Sequence, residues 1–311
     1  MTRVHCKVPR SGLGNQLFPI VKAHVFGTLN NLPVVVTGYR QFRIGPYLRG
    51  EKSKRNYSNY FRFQKNMVSA WFEQQSIQSL SKKGLIAEHP VEQLKEADKK
   101  NSVYLFSEHP HYHDYFRGLR ENREEARKQL HTILRKEIVD DVTSKKPPII
   151  GVHIRMGDFR KLKEGEDFSQ VGATRTPEHY FIDCINQIRS INGSTLPVSI
   201  FTDGYRNELQ NLLALKNVEI IEGNKDIVDM LLLSRSKIIV TSAGSTFSYW
   251  SGFLADAPLI MHPDHIYAPI RPPYVNEKFY EGPLIQNNHP PLLVRNITAI
   301  NLKALAVWIR L

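Results

Sequence analysis

The chain has 311 residues, enough for two medium-sized domains rather than one core. Hydrophobic residues make up 41% and charged residues 23%, which excludes a disordered or fibrous chain. A net charge of +12 and a pI near 9.6 call for an anionic partner: a nucleotide, a nucleic acid or an acidic membrane surface.

In chain order, residues 14–29 read as a helix behind a glycine turn, and 32–36 and 103–107 as strands. Residues 117–138 read as one charged amphipathic helix. The run Thr-Ser-Lys-Lys-Pro-Pro at 143–148 is polar, then stiff, and cannot continue a helix. It sets the expected boundary between an N-terminal α/β domain, 1–145, and a C-terminal one, 146–311.

After that boundary, strands and helices alternate. Residues 149–154 form an apolar, β-branched run expected to be a buried strand. Thr176 and Pro177 look like an N-cap and first helical position, and Tyr180, Phe181, Cys184, Ile185 and Ile188 follow at helical spacing. Strands are expected at 198–202, 218–221, 237–241 and 258–261, with helices at 207–215, 226–234 and 247–255. Such alternation implies βαβ units and a parallel sheet, whose ligands bind outside the carboxyl ends of the strands. Those ends fall at 155–158, 203–205, 222–224 and 242–246.

Two of the candidate groups, 155–158 and 242–246, lie at such ends, and Asp229 and the turn 11–16 are further candidates. Arg155 directly follows the 149–154 strand, where a guanidinium can fork onto a phosphate. Gly157 lets the backbone approach a ligand, and Asp158 could orient the arginine or bind a sugar hydroxyl. The turn 242–246 opens a helix, so its N–H groups and the hydroxyls of Ser245 and Thr246 could hold an anion. Asp229 stands in an otherwise apolar segment, where a carboxylate needs a partner. It could accept two donors side by side, as a guanine edge presents them. The turn 11–16, with Gly12 and Gly14 before a helix, is a weaker anion cradle.

Residues 39–65 interleave Arg40, Arg43, Arg49, Lys52, Lys54, Arg55, Arg62 and Lys65 with Tyr39, Phe42, Tyr47, Tyr57, Tyr60 and Phe61. That mix suits an anionic lipid surface or single-stranded nucleic acid, or is a solvated face. His109, His111 and His113 share a strand face but lack a second ligand cluster, so no metal is expected. Cys6 and Cys184 are too few for a disulfide framework and read as reduced packing thiols. No apolar run approaches the ~18 residues of a spanning helix, and the N-terminus lacks a signal-peptide core. A cytoplasmic protein, peripheral at most to a membrane, is the expectation.

Three stretches, in order, resemble the α-1,2-fucosyltransferases, with α-1,6- and protein O-fucosyltransferases as distant relatives. They are Gly12-Leu-Gly-Asn-Gln-Leu-Phe18, His153-Ile-Arg-Met-Gly-Asp158, and Asp229 through Ser242-Ala-Gly-Ser-Thr-Phe-Ser-Tyr-Trp250. The resemblance implies a GT-B-like fold of two facing Rossmann-like domains, with GDP-fucose in the C-terminal one. It implies a metal-independent, inverting transfer of fucose to a glycan hydroxyl, O-2 of a galactoside in the family. It places Arg155 on the diphosphate, Ser245 and Thr246 beside it, and Asp229 and His153 on the guanosine. It adds Gly14 and Asn15 to the donor site. Asp158 is the first choice for a catalytic base, ahead of Glu164 and Asp167. Met156 departs from the family, which usually has a second arginine there.

Three other readings compete: another GDP-sugar or linkage, a basic nucleic-acid-binding protein, and a nucleotide-binding protein without catalysis. Nucleic acid is not the expected partner, since the charge pattern is its only support.

Overall fold

A computed structural model describes residues 2–39, 41, 44–62, 84–95, 102–110, 112–286 and 288–301. The chain forms two compact units. The first holds Met1–Ile44 and Arg55–Asp141, the second Gly45–Lys54 and Val142–Leu311. Both are α/β with wholly parallel sheets, the class that the alternation and the resemblance imply.

In the first unit the sheet order is β2-β1-β4-β3, with β1 Arg3–Lys7, β2 Val34–Thr37, β3 Leu85–Ala87 and β4 Val103–Phe106. Helix α1, Leu13–Asn30, is buried over most of its circumference. It lies close to the sheet at Gly27, where a Cβ would stand 2.5 Å from a Val34 methyl. Helices α3, Arg123–Ile133, and α4, Lys136–Ser144, replace the single helix expected at 117–138. The break lies at Leu134, which is extended and fully buried. There the neighbouring chain takes over the backbone pairing: Arg62 N–H donates to the Ile133 carbonyl at 2.7 Å and Arg135 N–H to the Tyr60 carbonyl at 3.0 Å. A continuous amphipathic pattern does not register such an outside partner.

The second unit carries a six-stranded sheet in the order β10-β9-β8-β5-β6-β7. Its strands are β5 Ile150–Ile154, β6 Val198–Thr202, β7 Val218–Ile220, β8 Ile238–Val240, β9 Leu259–Ile260 and β10 Glu281–Gly282. Counted from β5, this is the 3-2-1-4-5-6 order of a doubly wound fold. The connecting helices are α5 Glu178–Asn192, the short α6 Gln210–Leu213, α7 Asp226–Ser234 and α8 Thr246–Leu254, and α10 Pro291–Thr298 follows β10. Two further single-turn helices are α2, Gly45–Leu48, and α9, Pro273–Asn276.

β5 is buried along its whole length, as a central parallel strand must be. At Gly151 a Cβ would meet Ser236 Oγ at 2.2 Å and Leu233 Cδ1 at 2.6 Å, so glycine is what lets this strand pass beneath the end of α7. Helix α5 starts one residue later than expected, with Pro177 as its N-cap. The Thr176 hydroxyl does not cap it; it accepts from Ala243 N–H at 2.9 Å. β10 has no apolar run to announce it. It is held by Arg271, fully buried, whose guanidinium donates to the Ala257, Phe279 and Tyr280 carbonyls and to Glu281. Cys6 and Cys184 are both buried and free.

Candidate functional site

β5 and β8 are neighbours, yet β5 leads to β6 on one side and β8 to β9 on the other. This is the switch point of the sheet, where the two following connections diverge and leave a crevice. Arg155 is the first residue beyond β5 and Ser242 the second beyond β8. The fully buried Ser242 hydroxyl ties the two strand ends together. It accepts from Arg155 N–H at 2.8 Å and donates to the His153 carbonyl at 2.9 Å.

The Arg155 guanidinium is gripped from two sides. Asp203, the first residue beyond β6, accepts from Nη1 through one oxygen. Its other oxygen accepts from the backbone N–H groups of Met156, at 2.7 Å, and Gly157, at 3.1 Å. Asp158 accepts from Nη2 at 2.5 Å. The Phe159 ring lies 5.5 Å from the guanidinium carbon, a cation–π distance. Two carboxylates around one guanidinium leave local negative charge. Asp158 is the more exposed of the two, its side chain 37% accessible against 16% for Asp203. Gly157 is required at its place, because a Cβ would stand 2.3 Å from Asp203 Oδ2. Asp203 is the residue that sequence reasoning did not single out. Its signal was its place at a strand end, shared with every other residue of 203–205.

Met156, the departure from the family pattern, is buried. A Cβ on Gly204 would stand 2.2 Å from its sulfur, so the side chain fills the core and adds nothing to the charge around Arg155. His153 is buried and stacks on Phe247, centroids 4.7 Å apart at 20°. Its Nδ1 has no hydrogen-bond partner. Burial draws its pKa down to about 3, despite the opposing pull of Asp203, so the ring is neutral at pH 7.

The 242–246 turn offers fewer free N–H groups than its sequence suggests. Ala243 N–H is bonded to Thr176, and Gly244 N–H donates to the Tyr249 hydroxyl at 2.8 Å. Gly244 has φ of +63°, which favours glycine there. Ser245 is the N-cap of α8 but makes no side-chain cap bond, and Thr246 is the first helical residue. What the turn presents is thus the α8 N-terminus with two hydroxyls beside it.

Asp229 lies in the first turn of α7, beyond β7, together with Asp226. Asn224 donates to it at 2.8 Å. Burial raises its pKa to about 7, against the opposing effects of Asn224 and Lys52. Gly14 and Asn15 belong to the first unit, in the first turn of α1. The Gln16 amide fixes that turn by donating to the Pro9 carbonyl at 3.1 Å and the Ser11 carbonyl at 3.2 Å. Asn15 Oδ1 and Ser11 Oγ are buried without hydrogen-bond partners.

Of the alternative bases, Asp167 caps the short 3-10 helix Phe168–Gln170, accepting from Ser169 N–H and Ser169 Oγ, which lowers its pKa. Glu164 is exposed. In the basic stretch, Tyr39, Tyr57, Tyr60 and Phe61 are buried, while Tyr47 is exposed. Arg40, Phe42, Arg43, Lys65 and His111 lie outside the described residues. Among the described residues no three His, Cys, Asp or Glu side chains are placed to hold a metal ion, and no helix is long and apolar enough to cross a membrane.

An arginine and a helix N-terminus at the switch point of a doubly wound sheet form a unit suited to a phosphorylated ligand. The family model of glycosyl transferase family 11 matches residues 87–261, more than half of the chain. The chain belongs to that family. It is 31% identical over 116 residues to an α-1,2-colitosyltransferase of Escherichia coli, a match covering 35% of this chain and 37% of that protein. The match thus spans little more than a third of this curated relative. Among solved structures it is similar to fucosyltransferase NodZ from Bradyrhizobium, at 16% identity and a TM-score of 0.47, covering 86% of this chain and 100% of that one. It is also similar to a mutant of Arabidopsis thaliana FUT1 in complex with GDP, at 13% identity and a TM-score of 0.46, covering 84% and 70%.

Proposed function

We propose that this chain is an inverting, metal-independent glycosyltransferase that moves L-fucose from GDP-fucose to a hydroxyl of a glycan or glycolipid, O-2 of a galactoside by family resemblance. Family membership supports the reaction class. The observation that carries the donor is the union of Arg155 and the α8 N-terminus through Ser242 at the switch point. Positive charge from a guanidinium and a helix terminus can offset a diphosphate without a cation.

In this reading the acceptor hydroxyl attacks the anomeric carbon, a new C–O bond forms, and the old C–O bond breaks with its electron pair leaving on GDP. Arg155 and the α8 N-terminus stabilise the charge that develops there. Asp158 takes the hydroxyl proton once the diphosphate has displaced it from the arginine. Asp229 receives the guanine edge, His153 stands beside it, and Ser245 and Thr246 complete the donor site in the second unit; Gly14 and Asn15, in the first unit, are proposed as donor-binding residues by family resemblance alone. Peripheral contact with an anionic membrane belongs to the same reading. The basic side chains of 39–65 would carry it, and co-sedimentation with anionic vesicles tests it.

A second reading keeps the mechanism and changes the sugar. The similarity to an α-1,2-colitosyltransferase favours it, with a colitosyl group in place of fucosyl. Calorimetric titration with GDP, ADP and UDP in EDTA tests the donor site, and a panel of GDP-sugars then separates the two readings. Tight GDP binding that is lost in Arg155→Ala is expected, with turnover falling about two to three orders of magnitude. Equal binding of all three nucleotides, or normal turnover in that variant, would overturn the assignment.

A further inference from the structure

Residues 45–54 belong to the second unit, although the chain on either side of them belongs to the first. The segment is internally braced. Arg49 N–H and Glu51 N–H close the α2 turn on the Gly45 and Pro46 carbonyls, and Gly50 has φ of +62°. The Glu51 side chain, buried, accepts from Arg49 at 2.6 Å, and Lys54 donates to the Glu51 carbonyl at 2.5 Å while its ammonium lies 5.1 Å from the Tyr47 ring.

Three hydrogen bonds lay this strap across the carboxyl edge of the sheet beside the switch point. The Tyr205 hydroxyl, just beyond β6, donates to the Gly50 carbonyl at 2.6 Å. The Lys52 ammonium donates to Glu222, just beyond β7, at 2.8 Å. The Ser53 hydroxyl donates to Asp226, on the first turn of α7, at 2.9 Å. That turn also carries Asp229. Three carboxylates, Glu222, Asp226 and Asp229, are thus gathered within eight residues, and the strap supplies a cation to Glu222 and a hydroxyl to Asp226.

We propose that residues 45–54 determine base specificity in the donor site, with Lys52 and Ser53 holding the acids at the start of α7 in register for a guanine edge. The proposal rests on the donor reading above. Its logic is electrostatic. A carboxylate accepts the adjacent N1–H and N2–H2 donors of guanine only while it is ionised, and adenine presents no such pair. Asp229 is pressed towards its neutral form by burial and by Asp226 on its own helix. Asn224 from the β7–α7 turn, Lys52 from the strap and Lys145 beyond α4 press the other way. Lys52 also pairs with Glu222, so its ammonium is held beside this group of acids. Lys52 is therefore a positioning residue that acts through Asp229 and does not itself meet the reacting atoms.

The test is calorimetric titration with GDP and with ADP, from pH 5.5 to 8.5, of the unaltered protein and of Lys52→Met, Lys52→Arg and Tyr205→Phe. In the unaltered protein GDP is expected to bind more tightly than ADP, and to weaken as the pH falls through the region near 7 where Asp229 takes up a proton. In Lys52→Met the preference for GDP should fall about tenfold at pH 7, as befits one charge-assisted contact. The midpoint of the pH dependence should move upward, ADP affinity should stay unchanged, and Lys52→Arg should restore both. Tyr205→Phe, which frees one end of the strap, should show a smaller change in the same direction. A preference for GDP with ratio and midpoint unmoved in Lys52→Met overturns the strap's role alone, as does an equal loss of both nucleotides. No preference for GDP in the unaltered protein overturns the donor reading and this inference with it.

Discussion

Arg155 and Asp203 meet twice over. The guanidinium donates to one oxygen of the Asp203 carboxylate, and the two backbone N–H groups that follow Arg155 donate to the other. Asp203 therefore sets both the direction of the side chain and the path of the chain that carries it. Asp158 touches only the guanidinium among these donors.

This difference separates two variants. Asp203→Ala leaves two backbone donors and a guanidinium short of an acceptor, which should lower stability by about 1–3 kcal/mol and weaken GDP binding. Asp158→Asn keeps the fold and GDP binding, and should lower turnover by about two to four orders of magnitude if it removes the base. Thermal melts, GDP titration and single-turnover kinetics would check both. Unchanged GDP affinity in Asp203→Ala, or normal turnover in Asp158→Asn, would contradict the assigned roles.

Two glycines beside the site make a second contrast. Gly157→Ala drives a methyl group to 2.3 Å from Asp203 Oδ2, against a carboxylate already fixed by three donors. Gly204→Ala drives one into the Met156 thioether, which is flexible enough to move. Gly157→Ala should lose GDP binding, whereas Gly204→Ala should lower the melting temperature with the nucleotide site kept. Measured melting temperatures and GDP affinities would show the reverse order if the site did not depend on Asp203.

The arginine was legible because an apolar, β-branched run stops abruptly at Arg155, and the 242–246 turn because small residues follow a second such run. Asp203 was not, since several polar residues share that strand end and only the neighbouring strand tells which one turns inward. The break at Leu134 was hidden for a related reason: its cause is the pairing of residues 60–62 with the end of α3. β10 was hidden because its two residues are Glu281 and Gly282 and its anchor, Arg271, stands ten residues earlier, where no apolar run marks it as buried. The placement of 45–54 with the second unit has no compositional signature, because the same charges suit any acidic surface.

Protonation gives a third contrast. His153 has a folded-state pKa near 3 against an ordinary 6.5, so the folded protein binds fewer protons than the unfolded chain between those values. Its contribution to stability is whole above pH 6.5 and is lost as the pH falls towards 3. His5, His24 and His262, each drawn down to about 4, act in the same window, so the comparison must be between variants. His153→Phe retains an aromatic partner for Phe247 and removes the titration. Its melting temperature should fall less steeply from pH 6.5 to 4 than that of the unaltered protein. Parallel curves would show that the imidazole does not titrate in this way.

The hydroxyl that closes the site reaches Arg155 from 87 residues further along the chain. During synthesis β5 can pair with β6, and β6 with β7, as soon as they emerge, but the other edge of β5 stays open until β8 arrives. The half-built sheet thus already carries Arg155, Asp158 and Asp203 while lacking Ser242 and the α8 N-terminus. The two sides of the proposed donor site, Arg155 and the α8 N-terminus, are joined only with the strand that seals the exposed edge. A nascent chain that ends before residue 238 presents the open edge of β5, the kind of edge that pairs with other chains.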